Sequence, residues 1–347
     1  MPRITPRIRR SAAVAVALVA GATTAPAAVA STGTGAPASI AAPVAKGLYQ
    51  SAYSERNHVL WTASAVGRPP VTTSALSKVD PRTLKVLATY TPPVTDAATG
   101  AVEAVYGVAV DDEHNTVWVT NTRNNSVAVY SQRDGAHLAT LPNVAHAREI
   151  VVDDKHDTVW ASGFGDGSLV AFDSRTYQEK RRVTVEGAGP TGIAVNEHTG
   201  TVYAADLTND QLIVVNRKST TPRLVPTGEG PISVALSKNG RTAYTADNTG
   251  GTVSVVDLDK GLVTKSVPTG AGPLSVAADD RSGRVVAVNR TDATATVVDP
   301  RKGTVVKTVP TGANPNHVEI AGGTAYVVDK SGTGPTGEDQ LTRFRVR

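Results

Sequence analysis

Beyond about residue 40 the chain is a succession of short runs in which Val, Ile, Thr and Tyr recur at every second position. Gly, Pro, Asn and Asp interrupt the runs. Alternation of period two predicts strands, and the interruptions predict turns. The 3.6-residue period of a helix is almost absent. The runs come in groups of four. In one clear group, residues 232–236 read as strand A, 241–246 as strand B, 252–256 as strand C and 262–267 as strand D. Strand B carries a large apolar residue at a fixed place: Trp61, Trp118, Trp160, Tyr203, Tyr244, Val286 and Tyr326. The last six lie 42, 43, 41, 42 and 40 residues apart. Four strands per unit of about 40–45 residues predict an all-β, seven-bladed β-propeller of four-stranded blades. Pro-Thr-Gly recurs at 226–228, 268–270 and 310–312, where one blade would pass to the next.

The first and last groups depart from the repeat. The first is longer, with extra residues near 67–73 and 94–102, both expected in turns on one face of the ring. The last has a long B–C loop at 330–338 and stops after its third strand at 341–346. Residues 39–44, followed by Gly47, mirror a strand-D stretch at 307–311. They are expected to pair with the last blade and close the ring, which removes exposed sheet edges. Residues 38–347 would then be a single domain, preceded by a flexible lead at 31–37.

Residues 1–30 read as a signal peptide. Arg3, Arg7, Arg9 and Arg10 precede an apolar stretch too short to span a bilayer. Ala28-Val29-Ala30 is an A-x-A cleavage site. Export to the periplasm or beyond, with cleavage after Ala30, is expected. The net charge of +4 comes from 35 basic and 31 acidic residues. Removing the four signal arginines leaves a neutral mature chain with no global pull on nucleic acid or anionic membrane. The chain has no cysteine, which rules out disulfides, thiolate metal sites and a Cys nucleophile. No later apolar run is long enough for a membrane span.

The seven A strands surround the axis, so their alignment locates candidate chemistry. Third positions (Ser51, Val108, Ile150, Ile193, Val234, Val276, Val318) and fifth positions (Tyr53, Val110, Val152, Val195, Leu236, Ala278, Ile320) are mostly large and apolar. They are expected to pack between blades. Second and fourth positions should face the channel, and most are Gly, Ala or Ser. Four break that rule: Gln50, Glu149, His317 and Glu319. Glu149, His317 and Glu319 are expected as ligands for a divalent cation or as general acid/base groups; bound water is the bland alternative. Tyr49, Tyr106, His146, Arg148 and Asn316 are placed at the channel mouth, with Arg123 and Arg290 nearby. Aromatic and Arg side chains there suit a ring or a base. The buried-turn role of an Asx hydrogen bond is expected for Asn121, Asp206, Asp247, Asn289 and Asp329.

Trp118-Val119-Thr120-Asn121 resembles the Tyr-Val-Thr-Asn tetrapeptide of the YVTN propeller repeats, with weaker copies at 203–206, 244–247 and 326–329. Residues 148–153 and 315–317 are similar to the exported YncE-like branch. The resemblance covers roughly residues 40–347. It implies a propeller and export, with few assigned reactions; an association with single-stranded DNA is part of what it implies. Three functions stay open. The first is a monomeric, non-catalytic binding or scaffold module that takes a protein, glycan or small molecule on the face carrying the B–C and D–A loops. The second is a metal-dependent lyase or lactonase with a channel-centred site. The third is a single-stranded nucleic-acid binder, for which affinity should fall steeply with salt.

Overall fold

The computed structural model describes residues 39–219 and 221–347. The expected signal peptide and the lead at 31–37 lie outside the described residues. Seven antiparallel four-stranded sheets follow one another around an axis. The innermost A strands are Leu48–Ser54, Val108–Asp111, Ala147–Asp153, Pro190–Asn196, Pro231–Leu236, Pro273–Asp279 and His317–Ala321. Each packs beside the next, and the seventh beside the first. Ser39–Ala45 runs antiparallel to Asp339–Arg345, with Ser39 opposite Phe344 and Ala42 opposite Leu341. It is the outer strand of blade seven, so the ring is closed by the start of the propeller, as expected.

The core lies between blades. One face of blade three presents Trp160, Ala171 and Val183 to Ile193, Val202 and Val215 of blade four. Blades four and five repeat the arrangement with Tyr203, Leu212 and Val214 against Val234, Ala243 and Val256. The strand-B residues fill these seams: Trp61, Trp118 and Val286 are fully buried and Trp160 is 3% exposed. Burying each large side chain contributes roughly 2–3 kcal/mol. The third positions of the A strands are buried as expected. The fifth positions, Val152 apart, are only half-buried. They flank a vestibule of about 750 Å³ at one end of the channel. The fourth positions line the vestibule and also touch the seam clusters, as Ala194 does. The division into channel and seam sides is therefore less strict than simple alternation predicts. Radial sheets twist, so both sides of an inner strand can see the axis where blades diverge.

The turns after strand B are tied by buried side chains. Asp206 accepts hydrogen bonds from the Gly189 N–H (2.8 Å), Asn209 Nδ2 (2.9 Å) and Gln211 Nε2 (2.8 Å). Asp247 accepts from the hydroxyls of Thr245 (2.7 Å), Thr252 (2.9 Å) and Ser254 (2.6 Å). Asp206 and Asp329 make the expected Asx turn, accepting from Thr208 N–H (3.2 Å) and Ser331 N–H (3.0 Å), whereas Asp247 ties its turn through hydroxyls.

The two insertions of blade one form a single lobe. Val94–Asp96 and Ala101–Val102 pair as a small hairpin where only a turn was expected. The Val102 N–H donates to Val71 O at 2.9 Å, joining the insertions. Glu103, 5% exposed, anchors the lobe to blade two by accepting from Asn121 Nδ2 (2.9 Å) and Thr140 Oγ1 (2.7 Å). Tyr106 follows directly and is held at the channel mouth.

Candidate axial site

A cavity of about 230 Å³ opens at the axis on the face carrying the B–C and D–A loops. Its lining follows the A-strand alignment. All seven second positions face it: Gln50, Gly107, Glu149, Gly192, Ser233, Ser275 and His317. So do all seven first positions: Tyr49, Tyr106, Arg148, Thr191, Ile232, Leu274 and Asn316. Pairing registers slip at the start of most A strands, for example between Leu48 and Gln50 and between Ala147 and Ile150. Such bulges let consecutive residues turn the same way. Arg148 and Glu149 can therefore both reach the cavity, against the strict alternation of an ideal strand.

The second positions also stitch the ring. Ser233 Oγ accepts from the Val276 N–H of the next blade, and Ser275 Oγ from Val318 N–H, both at 3.2 Å. His317 Nδ1 accepts from Ser51 N–H at 3.4 Å, and Gln50 Oε1 from Val108 N–H at 3.2 Å. In each case a second-position side chain takes the third-position N–H of the following blade. His317 and Gln50, which broke the small-residue rule, do the serines' work with longer side chains, His317 at the closing seam between blades seven and one and Gln50 at the next seam between blades one and two. Gly107 and Gly192 carry no such acceptor because there is no room: a Cβ on Gly192 would stand 2.5 Å from Ser233 Cα.

Binding Ser51 N–H at Nδ1 puts the imidazole proton of His317 on Nε2. Burial depresses its pKa to about 4, so it stays neutral. Glu149 Oε2 accepts from Gln50 Nε2 at 2.7 Å, and its own N–H donates to Ser162 Oγ at 3.0 Å. Burial raises the Glu149 carboxyl to about 7, against the pull of Gln50 and Arg148. Glu319 does not reach this cavity. It lines the vestibule, which Glu149 and His317 also border; burial, offset in part by the Tyr53 N–H, raises it to about 8 and the charges of Glu149 and Glu55 add to the rise.

Glu149, His317 and Glu319 are not gathered as a metal-ligand set. Among the described residues, the trio of acidic or His side chains with ligand atoms within 4.8 Å of one another is Glu113, His114 and Asp157. That trio lies at the opposite face, with His114 bonded to Asp111 (2.9 Å) and Arg175 paired with Asp157 (2.9 Å). In the axial cavity the Nδ1 of His317 and one oxygen of Glu149 already have protein partners.

Above the floor the charge is positive. Burial and Tyr106 raise the Tyr49 phenol, while the charges of Arg123, Arg290 and Arg148 act on it in the other direction. Lys330 Nζ lies 3.4 Å from the Tyr49 ring centroid, and burial lowers this amine to about 8. Tyr49 and Tyr106 meet edge to face at 4.4 Å. Arg148 stacks on Phe164 at 5.5 Å. His146 lies 5.6 Å from the same ring; burial and then the charges of Arg148 and Arg123 lower its pKa. Asn316 accepts from Arg290 Nη1 (2.9 Å) and donates to Tyr49 O (2.8 Å). Among the described residues, no carboxylate forms an ion pair with Arg123, Arg148, Arg290 or Lys330.

The expected mouth residues Tyr49, Tyr106, His146, Arg148 and Asn316 thus come together, with Gln50, Glu149 and His317 beneath them. Sequence reasoning missed Lys330, Phe164, Ile232 and Leu274. Ile232 and Leu274 occupy the same alignment column as Tyr49 and Arg148, which was signal enough. Lys330 sits at the head of the one long B–C loop.

These features define a seven-bladed propeller with an axial pocket on its loop face. No protein-family model matches the chain, and no curated protein matches it in sequence. Its architecture is similar to two solved structures. One is virginiamycin B lyase from Staphylococcus aureus, with a TM-score of 0.70 and 13% identity, over 88% of this chain and 98% of that one. The other is a streptogramin B lyase, with a TM-score of 0.69 and 11% identity, over 88% and 97%. At these identities the likeness concerns the fold.

Proposed function

We propose that this protein is a binding module that seats an anionic ligand in the axial cavity of its loop face. One observation carries the reading: Arg123, Arg148, Arg290 and Lys330 converge around Tyr49 and, among the described residues, none of them forms a salt bridge, the carboxylates of Glu149 near Arg148 and Asp339 near Lys330 acting on them only from a distance. Arg148, Arg290 and Lys330 are partly buried and Arg123 is exposed beside them, so their like charges repel one another and cost stability. An anion held bidentately by the arginine forks relieves that repulsion. Titration with sulfate, read on the Arg side-chain Nε–H resonances, tests it. Arg123 and Arg148 should shift together and saturate, and the Arg123→Met/Arg148→Met double variant should not respond. Sulfate that moves no funnel resonance would refute the reading.

One observation favours catalysis as a second reading. Glu149 sits on the cavity floor with its carboxyl at about 7, poised to take or give a proton near neutrality. The lyase names of the two structural neighbours support trying virginiamycin B as substrate. Its consumption by the wild type, with a loss of roughly 100-fold or more in Glu149→Gln, is the result this reading expects. Undiminished turnover by that variant would remove Glu149 from the chemistry.

Membership of the YncE-like branch of the YVTN propellers and export from the cytoplasm are proposed with it. They are supported by the tetrapeptide copies and by the basic, then apolar, start of the chain. Exported protein should begin at Ser31 on N-terminal sequencing; an intact Met1 would count against it.

A further inference from the structure

The axial cavity is two-sided. Blades one to three contribute Tyr49, Tyr106, Arg123 and Arg148. Facing them across the axis, blades five and six contribute Ile232 and Leu274, which are partly exposed within the cavity. Ile232 also packs against the neighbouring seam core, but the apolar surface that it and Leu274 leave open to the cavity gains by being covered. The floor is Glu149, hydrogen-bonded to Gln50, with the neutral His317 beside it. A dianion pressed toward that floor meets the buried carboxyl of Glu149. A monoanion with an apolar body avoids that difficulty, because its charge stays with the arginines and its body lies on the other wall.

We infer that the ligand is an amphipathic carboxylic acid with a compact aromatic or aliphatic body. Its carboxylate lies between Arg123 and Arg148 beside Tyr49, and its body lies against Ile232 and Leu274. This rests on the anion-binding reading above and adds the second half of the ligand. The cavity of about 230 Å³ is at the small end of ligand sites, which favours a body of one ring or a short chain. The guanidinium forks match a planar carboxylate. The Tyr49–Tyr106 pair closes the charged side, and Lys330 over Tyr49 adds positive charge at the rim.

The test is calorimetric titration of the purified protein with benzoate, 4-phenylbutyrate and octanoate. Sulfate serves as a body-less anion and 4-phenylbutanol as a charge-less body. At least one carboxylate should bind tenfold or more tightly than both controls. Arg148→Met should weaken it at least tenfold. The Ile232→Ser/Leu274→Ser double variant should weaken it threefold or more while leaving sulfate unchanged. Circular dichroism confirms that each variant is folded, and Leu274→Met, which keeps the apolar surface, should bind like the wild type. Sulfate binding as tightly as every carboxylate, or a serine double variant with unchanged carboxylate affinity, overturns this inference and leaves the anion site standing. Binding of no carboxylate and no sulfate, or affinity indifferent to Arg148→Met, overturns both.

Discussion

Blades five and six and blades seven and one solve the same problem in different ways. In both, a second-position side chain accepts the third-position N–H of the next blade. Ser233 and Ser275 do it with a hydroxyl close to the backbone. His317 and Gln50 do it with side chains several bonds longer. The short acceptors leave the channel wall smooth. The long ones push an imidazole and an amide toward the axis, and Gln50 then has a second arm free to hold Glu149. A structural duty is thus discharged at these seams by groups that also furnish the floor of a polar cavity. Asymmetry in an otherwise repeated ring arises there, and the cationic mouth sits above it.

The sharpest way to break the contrast is to open the ring. A protein beginning at Gly47 lacks Ser39–Ala45 and exposes the outer edge of Asp339–Arg345, which keeps only Thr324–Val328 as a partner. It should lose its single cooperative unfolding transition, whereas a melt within about 2 °C of the parent would show that the outer strand is dispensable. The next effect is one of pH. In the unfolded chain His317 takes a proton near 6.5, but in the fold only near 4. The unfolded state therefore binds more protons between those values, and stability falls as pH drops from 6.5 to 4. The loss is up to about 3 kcal/mol. His317→Ser, which copies blades five and six, should keep the acceptor and remove that part of the loss. Equal acid sensitivity in wild type and variant, by denaturant unfolding at pH 4.5 and 6.5, would contradict the assignment.

The vestibule carboxyl has the opposite sign. Glu319 is raised from 4.5 to about 8, so the folded state holds its proton where the unfolded state does not. Stability is lost as pH rises from 4.5 to 8. Glu319→Gln should then stabilise by roughly 1–3 kcal/mol at pH 8 and by much less at pH 5. A gain that does not depend on pH would point to packing instead. The smallest change is expected at the smooth side of the ring. Ser275→Ala leaves the Val318 N–H without its acceptor and should cost about 1 kcal/mol. A cost above that of His317→Ser would reverse the ranking of the two regions.

Most of the architecture could be read from the chain because the repeat states it seven times. A strand-B aromatic, an Asx turn and an alternating inner strand recur at one period, and burial of Trp118 or Tyr244 obeys the same local rule in each blade. Ring closure by residues 39–45 was legible for the same reason, as a missing strand at one end and a spare one at the other. The A-strand columns also placed Tyr49, Tyr106, Arg148, Asn316 and the three floor residues at one cavity. Legibility failed where geometry depends on neighbours. Glu319 shares a strand and a side with His317 yet borders only the vestibule, whereas His317 and Glu149 border both the vestibule and the axial cavity. The Val94–Asp96 hairpin lies outside the repeat and has no second copy to reveal it.

By itself the sequence determined the number of blades, their strand order, the buried strand-B and third A-strand positions and the set of residues able to approach the axis. These follow from local alternation and from a period that any one blade must share with the rest. Only the tertiary structure decided which polar groups have partners. It gave His317 and Gln50 to the seams, left Arg123, Arg148 and Lys330 without a salt bridge among the described residues, and set Ile232 and Leu274 opposite them. Those outcomes depend on bulges and on distances between different blades, and partners many residues apart leave no mark on the spacing of either one.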